Sequence, residues 1–399
     1  MVTIHDLEYK QISGISMSLT RSAKLLIILL FSLSSTSLFA RSVNLVPAAP
    51  KVKAHSYLLM DFDSSRIIVS QNANTRIEPA SLTKLMTTYV GLYELSNNNI
   101  KLEDQVKISE KAWRMKGSRM FIEVNSWVSV NELLHGVIIQ SGNDASVALA
   151  EHIAGSESAF ADLMNQHAKN LGMNDTFFTN STGWPDKNHY TTASDLAILT
   201  RALIRDFDKY YALFKIKHYT YNGIKQPNRN RLLWTDDRVD GVKTGHTESA
   251  GYCLVSSAKQ KDMRLISVVT GTNSESARET ASRKLLSYGF RFYETFLMNK
   301  AHTALTTQRI WKGEKEELEL GLTEDLYLTV PKGSRSKIKA NMKLDAMITA
   351  PVKKGNKFGT VNVTLGDETL TSKPLVALND INEGGLLSKL VDNIILMFK

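Results

Sequence analysis

Residues 78–87 read Glu-Pro-Ala-Ser-Leu-Thr-Lys-Leu-Met-Thr, and they hold the most informative spacing in the chain. Ser81 precedes Lys84 by three positions, and apolar residues then recur at near-helical intervals, so we expect Ser81 to open a buried helix with Lys84 one turn on. A serine hydroxyl is a weak nucleophile near neutral pH unless a base lies within hydrogen-bond reach. The pattern therefore predicts a nucleophile and its base on one helix.

Two further short motifs extend this pattern. Ser-Gly-Asn at 141–143 comes directly after a predicted helix over 130–139, and Lys-Thr-Gly at 243–245 falls on a predicted strand. Ser-x-x-Lys also begins at Ser256 and at Ser334, but neither copy opens an apolar helix. Each motif alone is weak evidence, whereas the three together, on a helix start, a helix–helix loop and a strand, predict one serine-based active site.

These motifs resemble those of penicillin-binding proteins and class A β-lactamases. The similarity is greater to the D-alanyl-D-alanine carboxypeptidases, the low-molecular-mass penicillin-binding proteins, and it extends from about residue 54 to the end of the chain. The segments that carry it are 78–87, 141–145, 240–247 and 263–269. The resemblance implies a serine-type carboxypeptidase that removes the terminal D-alanine from peptidoglycan pentapeptide stems through an acyl-Ser81 intermediate. It also implies that β-lactam antibiotics inhibit the protein covalently.

The resemblance and the chemistry of the side chains together suggest a role for each motif residue. Ser81 attacks the peptide carbonyl, and Lys84 accepts its proton once burial and a nearby cation such as Lys243 have lowered the pKa of its amine. Ser141 relays a proton to the departing amine, with Lys243 supplying the electrostatics. Asn143 hydrogen-bonds the substrate amide.

The remaining predicted site residues bind the substrate. By resemblance, the backbone N–H groups of Ser81 and His246 form an oxyanion hole beside Gly245, while Thr244 and Arg278 bind the terminal carboxylate. His189 lies in a loop that by resemblance overhangs the site. It is a candidate to activate the deacylating water, and an exposed histidine with no such role is an equal alternative.

The order of predicted elements favours an α+β fold. Two strands lead to the nucleophile helix, helices dominate to about residue 215, and strands then return before a helix over 276–293. The resemblance implies a β-lactamase/DD-peptidase-like transpeptidase domain, an antiparallel sheet with a flanking helical cluster, over 41–298. A β-rich domain over 299–385 follows, with strands predicted at 318–320, 326–330, 338–344, 346–352 and 360–365.

The two ends of the chain predict export and contact with a membrane. Residues 1–40 combine basic residues, an aliphatic run and small residues, which is typical of a signal peptide, with Met17 as an alternative start and a retained transmembrane anchor as the other interpretation. Residues 386–399 form an amphipathic helix that is expected to lie on the periplasmic face of the inner membrane. The alternative is a helix packed on the β-rich domain. Gly384 and Gly385 favour a detached segment.

Composition narrows the choice of partners. The 399 residues are 43% hydrophobic and carry a net charge of +9, which favours anionic lipid or cell-wall polymer; nucleic acid is not an expected partner of an exported chain. Cys253 is the only cysteine, so intrachain disulfides and cysteine metal sites are excluded. No metal or organic cofactor is expected.

Three other functions compete with the carboxypeptidase. A class A β-lactamase needs a loop glutamate to activate water, and none occurs between residues 171 and 194. A DD-endopeptidase would use the same site on cross-linked stems. A non-catalytic wall-binding scaffold would have no need of Lys84.

Overall fold

We describe the protein from a computed structural model, which covers residues 46–345 and 347–398. The predicted signal segment and the choice of start at Met17 lie outside these residues. Within them, none of the helices is long and apolar enough to cross a bilayer.

Residues 56–292 contain a sheet with a helical cluster on one face and a single long helix on the other. The strands are β1 (Ser56–Asp61), β2 (Ile67–Gln71), β3 (Gln105–Lys107), β4 (Trp127–Ser129), β5 (His218–Tyr221), β6 (Ile224–Pro227), β7 (Val239–Thr247), β8 (Gly251–Gln260) and β9 (Met263–Thr272). The helices are α1 (Lys84–Ser96), α2 (Glu110–Trp113), α3 (Val130–His135), α4 (Asn143–Ala154), α5 (Glu157–Leu171), α6 (Ala193–Asp206), α7 (Asp208–Tyr211), α8 (Leu232–Thr235) and α9 (Glu275–Phe292).

The main sheet is antiparallel and has the order β2-β1-β9-β8-β7. It is covered on both faces, as the alternation along β1 illustrates. Leu58 and Met60 pack into the helical cluster, whereas Tyr57 and Leu59 pack with Leu285 of α9. The strands predicted around the polar turn at 61–66 are confirmed, and β7, which carries Lys-Thr-Gly, is the outer strand nearest the nucleophile.

The predicted nucleophile helix differs in one detail. Residues Ala80–Thr83 form a 3-10 turn and α1 begins only at Lys84, so Ser81 lies on the turn that leads into the helix. Ala80 has φ +48°, a left-handed conformation that bends the chain immediately before the nucleophile. Tyr93, which the apolar pattern placed in the core, is 41% exposed.

The β-rich region is larger than the sequence suggested. Its strands are β10 (Tyr293–Asn299), β11 (Ala304–Trp311), β12 (Glu317–Gly321), β13 (Leu326–Pro331), β14 (Ile338–Leu344), β15 (Ile348–Thr349), β16 (Lys357–Leu365) and β17 (Glu368–Ala377). A six-stranded sheet has the order β14-β16-β17-β12-β11-β15, and β10 pairs with β13. The sequence analysis missed β10, β11 and β17, while the strand predicted over 346–352 is reduced to Ile348–Thr349 among the described residues.

The last helix, α10 (Leu386–Met397), contacts the β-rich region through its polar side. Asp392 accepts hydrogen bonds from Arg309 Nη2 at 3.1 Å and from the backbone N–H of Lys312 at 2.5 Å. Ser388 Oγ donates to the Gly313 carbonyl at 3.2 Å. The expectation of a detached segment is therefore wrong, because polar contacts hold the helix. Its apolar residues face outward: Leu386, Leu387, Leu390, Val391, Ile394, Met397 and Phe398 are exposed.

Candidate active site

Lys84 lies next to Ser81 in a buried polar cluster. Its side chain is only 1% exposed, and Nζ is 3.2 Å from Ser81 Oγ. Nζ also donates to Asn143 Oδ1 at 2.7 Å and to the Thr182 carbonyl at 2.6 Å. Two carbonyl acceptors match the two hydrogens of a neutral amine, which leaves the nitrogen lone pair for the serine hydroxyl.

The surroundings of Lys84 favour its neutral form. Burial is the largest cause that lowers the pKa of this amine, to about 7; Asp144 opposes that shift, and the positive charge of Arg229 reinforces it. Arg229 lies on the wall of the cavity and donates from Nε to the Gln140 carbonyl at 3.2 Å. Sequence analysis did not single out Arg229, because nothing local marks an arginine in the polar run after β6.

Ser141 and Lys243 form a second pair. Ser141 has φ +61° at the end of a π-helical turn over Gly136–Gln140, and this conformation directs the chain from α3 into α4. Lys243 Nζ donates to Ser141 Oγ at 2.7 Å and to the Thr244 carbonyl at 3.1 Å. Burial, and then the charge of Lys84, lower the pKa of Lys243 well below its usual value. The three sequence motifs thus meet in one place.

Asn143 connects the first motif to the second. Its Oδ1 accepts from Lys84, and its Nδ2 donates to the Lys116 carbonyl at 2.6 Å. The neighbouring Asp144 accepts backbone hydrogen bonds from the loop at 120–122, which holds this wall of the site. Both ends of the Asn143 amide are thus engaged within the protein, and its contact with a substrate amide stays a prediction.

Strand β7 lies directly against the nucleophile turn. A Cβ at Gly245 would be 3.1 Å from Leu82 Cγ and 3.2 Å from the Pro79 carbonyl, so a side chain here would push the strand away from the turn. Gly183 makes an even closer approach, with φ +82° and a Cβ position 1.7 Å from the Ala80 carbonyl oxygen. Because these two glycines have no side chain, strand β7 and the loop at Gly183 can both pack closely against the turn that carries Ser81.

Arg278, on helix α9, is buried beside Gly245 of strand β7. It begins the second turn of α9, and Nη1 donates to the Gly245 carbonyl at 3.3 Å, while Nη2 is 3.5 Å from Glu275 Oε1. Its Nε is buried and has no hydrogen-bond partner among the described residues. Arg278 also lines the cavity, and a guanidinium in such a wall suits an anionic ligand. Thr244 lines the same cavity, and His246 is exposed with its ring 4.0 Å from that of Tyr252.

His189 is placed differently from the other predicted residues. It is 3% exposed, so the alternative of an exposed loop histidine is wrong. The Thr179 N–H donates to Nδ1 at 3.2 Å, which leaves Nε2 to donate to Thr83 Oγ1 at 2.8 Å. Burial lowers the pKa of His189 to about 4. The ring is therefore neutral and holds the overhanging loop to the nucleophile turn.

These groups surround one open cavity of about 930 Å³. Ser81, Ser141 and Asn143 line one side, and Thr244 and Arg278 lie along β7 and α9. The sequence analysis missed several other residues of its walls, because they come from loops without a local pattern: Gly117, Ser118, Thr182, Gly183 and Arg229. Of these residues, only Gly183 has a local signal in the sequence, because a glycine that follows polar residues is typical of a turn.

A serine beside a buried lysine, a Ser–Lys pair opposite and a glycine-containing outer strand define a serine acyl-enzyme of the penicillin-binding type. The chain belongs to the D-alanyl-D-alanine carboxypeptidase family, whose model matches residues 44–274, and is an enzyme of that class. Residues 293–383 match the C-terminal domain of penicillin-binding protein 5. The fold expected from the resemblance is thereby confirmed.

Individual relatives are similar over most of their length. The D-alanyl-D-alanine carboxypeptidase DacC of Escherichia coli (strain K12) is 44% identical over 358 residues, 88% of this chain and 90% of the relative. The solved penicillin-binding protein 5 of Haemophilus influenzae is 43% identical with a TM-score of 0.82, over 84% of this chain and 100% of that one. Penicillin-binding protein D2 of Listeria monocytogenes, solved with ampicillin bound, is 27% identical with a TM-score of 0.57, over 61% of this chain and 100% of that one.

Proposed function

We propose that this enzyme removes the terminal D-alanine of the peptidoglycan pentapeptide stem by acylation and hydrolysis at Ser81. The observation that carries the proposal is the contact between Lys84 Nζ and Ser81 Oγ, with both amine hydrogens engaged elsewhere. The lone pair of a neutral amine is then free to accept the serine proton while the oxygen attacks the penultimate carbonyl. The backbone N–H groups of Ser81 and His246 stabilise the oxyanion that forms.

The second pair serves the leaving group. When the tetrahedral intermediate collapses, the amine of the departing D-alanine needs a proton. Ser141 relays it: its hydroxyl gives a proton to the amine and takes up the proton that Lys84 holds, while Lys243, 2.7 Å away, donates a hydrogen bond that stabilises the Ser141 oxygen. Because Lys84 holds the proton taken from Ser81, the two pairs together pass one proton from nucleophile to leaving group.

Arg278 and Thr244 define which bond is cut. Arg278 and Thr244 line the end of the cavity that a terminal carboxylate would occupy, and the guanidinium brings a positive charge there. A receptor for that carboxylate restricts cleavage to the last peptide bond, which is the distinction between a carboxypeptidase and an endopeptidase. Gly245 keeps the strand close enough for this contact.

Hydrolysis of the acyl-enzyme needs a base for water. Lys84 is neutral again once the leaving group has taken the proton, and its nitrogen lies beside the ester oxygen. We assign it this second role in preference to His189, whose two ring nitrogens are both engaged in holding the loop.

Penicillin labelling tests this proposal. Mass spectrometry after treatment with penicillin should locate one adduct on Ser81 that persists, because the overhanging loop carries no glutamate to hydrolyse it rapidly. Rapid turnover would favour a β-lactamase. D-Alanine released from a pentapeptide, compared with cleavage of cross-linked dimers, separates the carboxypeptidase from an endopeptidase, and neither activity in pure protein would favour a wall-binding scaffold.

We also propose that the enzyme is exported and acts on the periplasmic face of the inner membrane, with 1–40 removed as a signal peptide. The mature chain would comprise the catalytic domain (41–298), the β-rich domain (299–385) and the membrane-contacting helix (386–399). The exposed apolar side of α10 supports the membrane contact. Removal of 386–399 should give soluble enzyme with its activity intact, and persistent membrane association would contradict this role.

A further inference from the structure

Strand β14 is the last strand at one edge of the six-stranded sheet in the β-rich region. It pairs with β16 from Ile338 to Leu344, and no strand of the described residues pairs with its other side. Strands β16, β17 and β12 lie between it and β11, the strand that contacts α10 through Arg309. The free edge of β14 is therefore separate from the proposed membrane contact.

The backbone of β14 offers hydrogen-bonding groups along this free edge. Just after the strand, the Asp345 N–H donates to the Phe358 carbonyl at 3.1 Å and continues the antiparallel ladder with β16. In such a ladder alternate residues bond to the same neighbour, so the residues two, four and six positions before Asp345 also face β16. Ala340 and Met342 then direct their N–H and C=O groups to the free side, where a further strand could pair with them.

The side chains of β14 form two different rows. Met342 lies directly opposite Val361, on the face where that valine is buried, yet Met342 is 47% exposed because no strand covers it on the other side. Lys339 and Lys343 lie on the opposite face and are paired with uncharged threonines of β16. Both lysines are exposed, and neither has an ion-pair partner within the described part of the chain.

The two lysines decide which kind of strand can join this edge. Two copies of β14 paired antiparallel around Asn341 would place Lys339 of one copy opposite Lys343 of the other, and like charges in that position destabilise pairing. Lysine on an edge strand is a common protection against self-association. A strand with acidic side chains at the same positions would instead form cross-strand ion pairs, and apolar side chains on its other face would cover Met342.

We propose that β14 is a docking edge for an extended segment of a partner protein in which acidic and apolar side chains alternate. The segment adds to the sheet as a further strand, with hydrogen bonds to the outward backbone groups of Ala340 and Met342. Lys339 and Lys343 select the acidic side chains. This is a protein-binding function of the β-rich region, and it does not depend on the proposed carboxypeptidase reaction.

Two short synthetic peptides of equal length test the charge selection, one alternating valine with glutamate and the other alternating valine with lysine. Cross-strand charge pairs are each worth up to about fivefold, so the enzyme should bind the acidic peptide more tightly by about tenfold or more at low salt. Replacement of both lysines, Lys339→Gln with Lys343→Gln, should weaken binding of the acidic peptide by about 5–25-fold. Lys169→Gln with Lys284→Gln removes two exposed charges from helices of the catalytic region and should leave Kd unchanged. Fluorescence polarisation of labelled peptides measures each Kd.

Ala340→Pro tests the backbone contact. It removes one outward N–H while the hydrogen bonds to β16 remain, and edge strands tolerate proline at such positions, so Kd should rise about fivefold with little change in the unfolding temperature. The lysine variant changes only exposed side chains and decides the question if proline disturbs the strand. Equal binding of the two peptides, or an acidic-peptide Kd that the lysine variant leaves unchanged, would overturn the proposal. Self-association of the enzyme that Ala340→Pro abolishes would overturn it as well, because the edge would then belong to a second copy of the chain.

Discussion

The helix that begins at Lys84 and the helix that begins at Leu386 both depart from the usual distribution of polar and apolar side chains, in opposite directions. In α1 an amine that is 1% exposed lies inside a helical cluster, whereas in α10 Leu386 is 89% exposed and Asp392 only 8% exposed. A buried amine and an exposed apolar stripe both cost free energy in a protein surrounded by water. Each has a proposed use, the first in proton transfer and the second at a membrane surface.

The largest effect is expected when the buried amine is removed. Lys84→Met should lower kcat for D-alanine release by about 10²–10⁴-fold, the usual contribution of a general base. It should also destabilise the fold by about 1–3 kcal/mol, because Asn143 Oδ1 and the Thr182 carbonyl lose their donor. Steady-state kinetics and thermal unfolding measure both, with the exposed Lys169→Met as the control. Activity within tenfold of wild type would refute the role of Lys84 as base.

The second prediction compares a glutamate on the apolar side of α10 with a glutamate on its polar side. Leu390→Glu and Ile394→Glu should each weaken binding to vesicles that contain anionic lipid by about 10–100-fold, since burial of a large aliphatic side chain is worth about 1.5–3 kcal/mol. Asn393→Glu adds an equal charge on the polar side and should change binding only slightly. Sedimentation of protein with vesicles measures the difference, and equal losses for all three variants would argue against an apolar contact face.

The third prediction concerns the contact that turns the polar side of α10 inward. Asp392→Ala removes the acceptor for Arg309 and for the Lys312 N–H, and it should weaken the docking of the helix by about 1–3 kcal/mol. Proteolysis within 386–398 should become faster while D-alanine release stays the same. Asp380→Ala, an exposed carboxylate elsewhere in the β-rich region, is the control. Unchanged proteolysis of the Asp392 variant would mean that other contacts hold the helix.

The smallest effect is expected from Arg229, which acts on Lys84 through its charge. Lys84 accepts a proton only when neutral, so acylation should rise as the pH increases through about 7, the pKa of Lys84, and then level off. In Arg229→Gln the pKa of Lys84 rises, so the midpoint moves to higher pH and the rate at pH 7 falls a few-fold. Acylation by penicillin measured across pH gives both profiles. Arg231→Gln, two residues further on, is the control and should leave the midpoint unchanged. A shift of equal size in this variant would mean that the net charge of the protein, and not the position of Arg229, sets the pKa of Lys84.

The catalytic motifs were predictable because their chemistry is encoded in local spacing. Lys84 one turn after Ser81, and Lys-Thr-Gly before two β-rich segments, identified the elements on which the site is built. Arg229 and Thr182 could not be identified, since each contributes through contacts between distant segments. The role of His189 was open for the same reason: whether its ring faces water or Thr83 depends on how the loop folds back on the nucleophile turn.

The β-rich region shows which strands could not be predicted from the sequence. Strands with an alternating pattern, such as β12 and β16, were predicted, while β11 and β17 were missed because their burial alternates only weakly and much of each strand is exposed. A pattern of alternation reports one buried face, and a strand with little buried surface gives little signal.

The sequence by itself determined the motif residues that meet at the site, the order of strands and helices in the catalytic part, and the amphipathic character of the C-terminal segment. Tertiary structure alone decided that Ser81 lies on a 3-10 turn, that Arg229 is the cation that adds to burial in lowering the pKa of Lys84, and that α10 docks by its polar side. The physical reason is that spacing and periodicity are properties of neighbouring residues. Burial, charge–charge interaction and docking depend on segments that the fold brings together from distant parts of the chain.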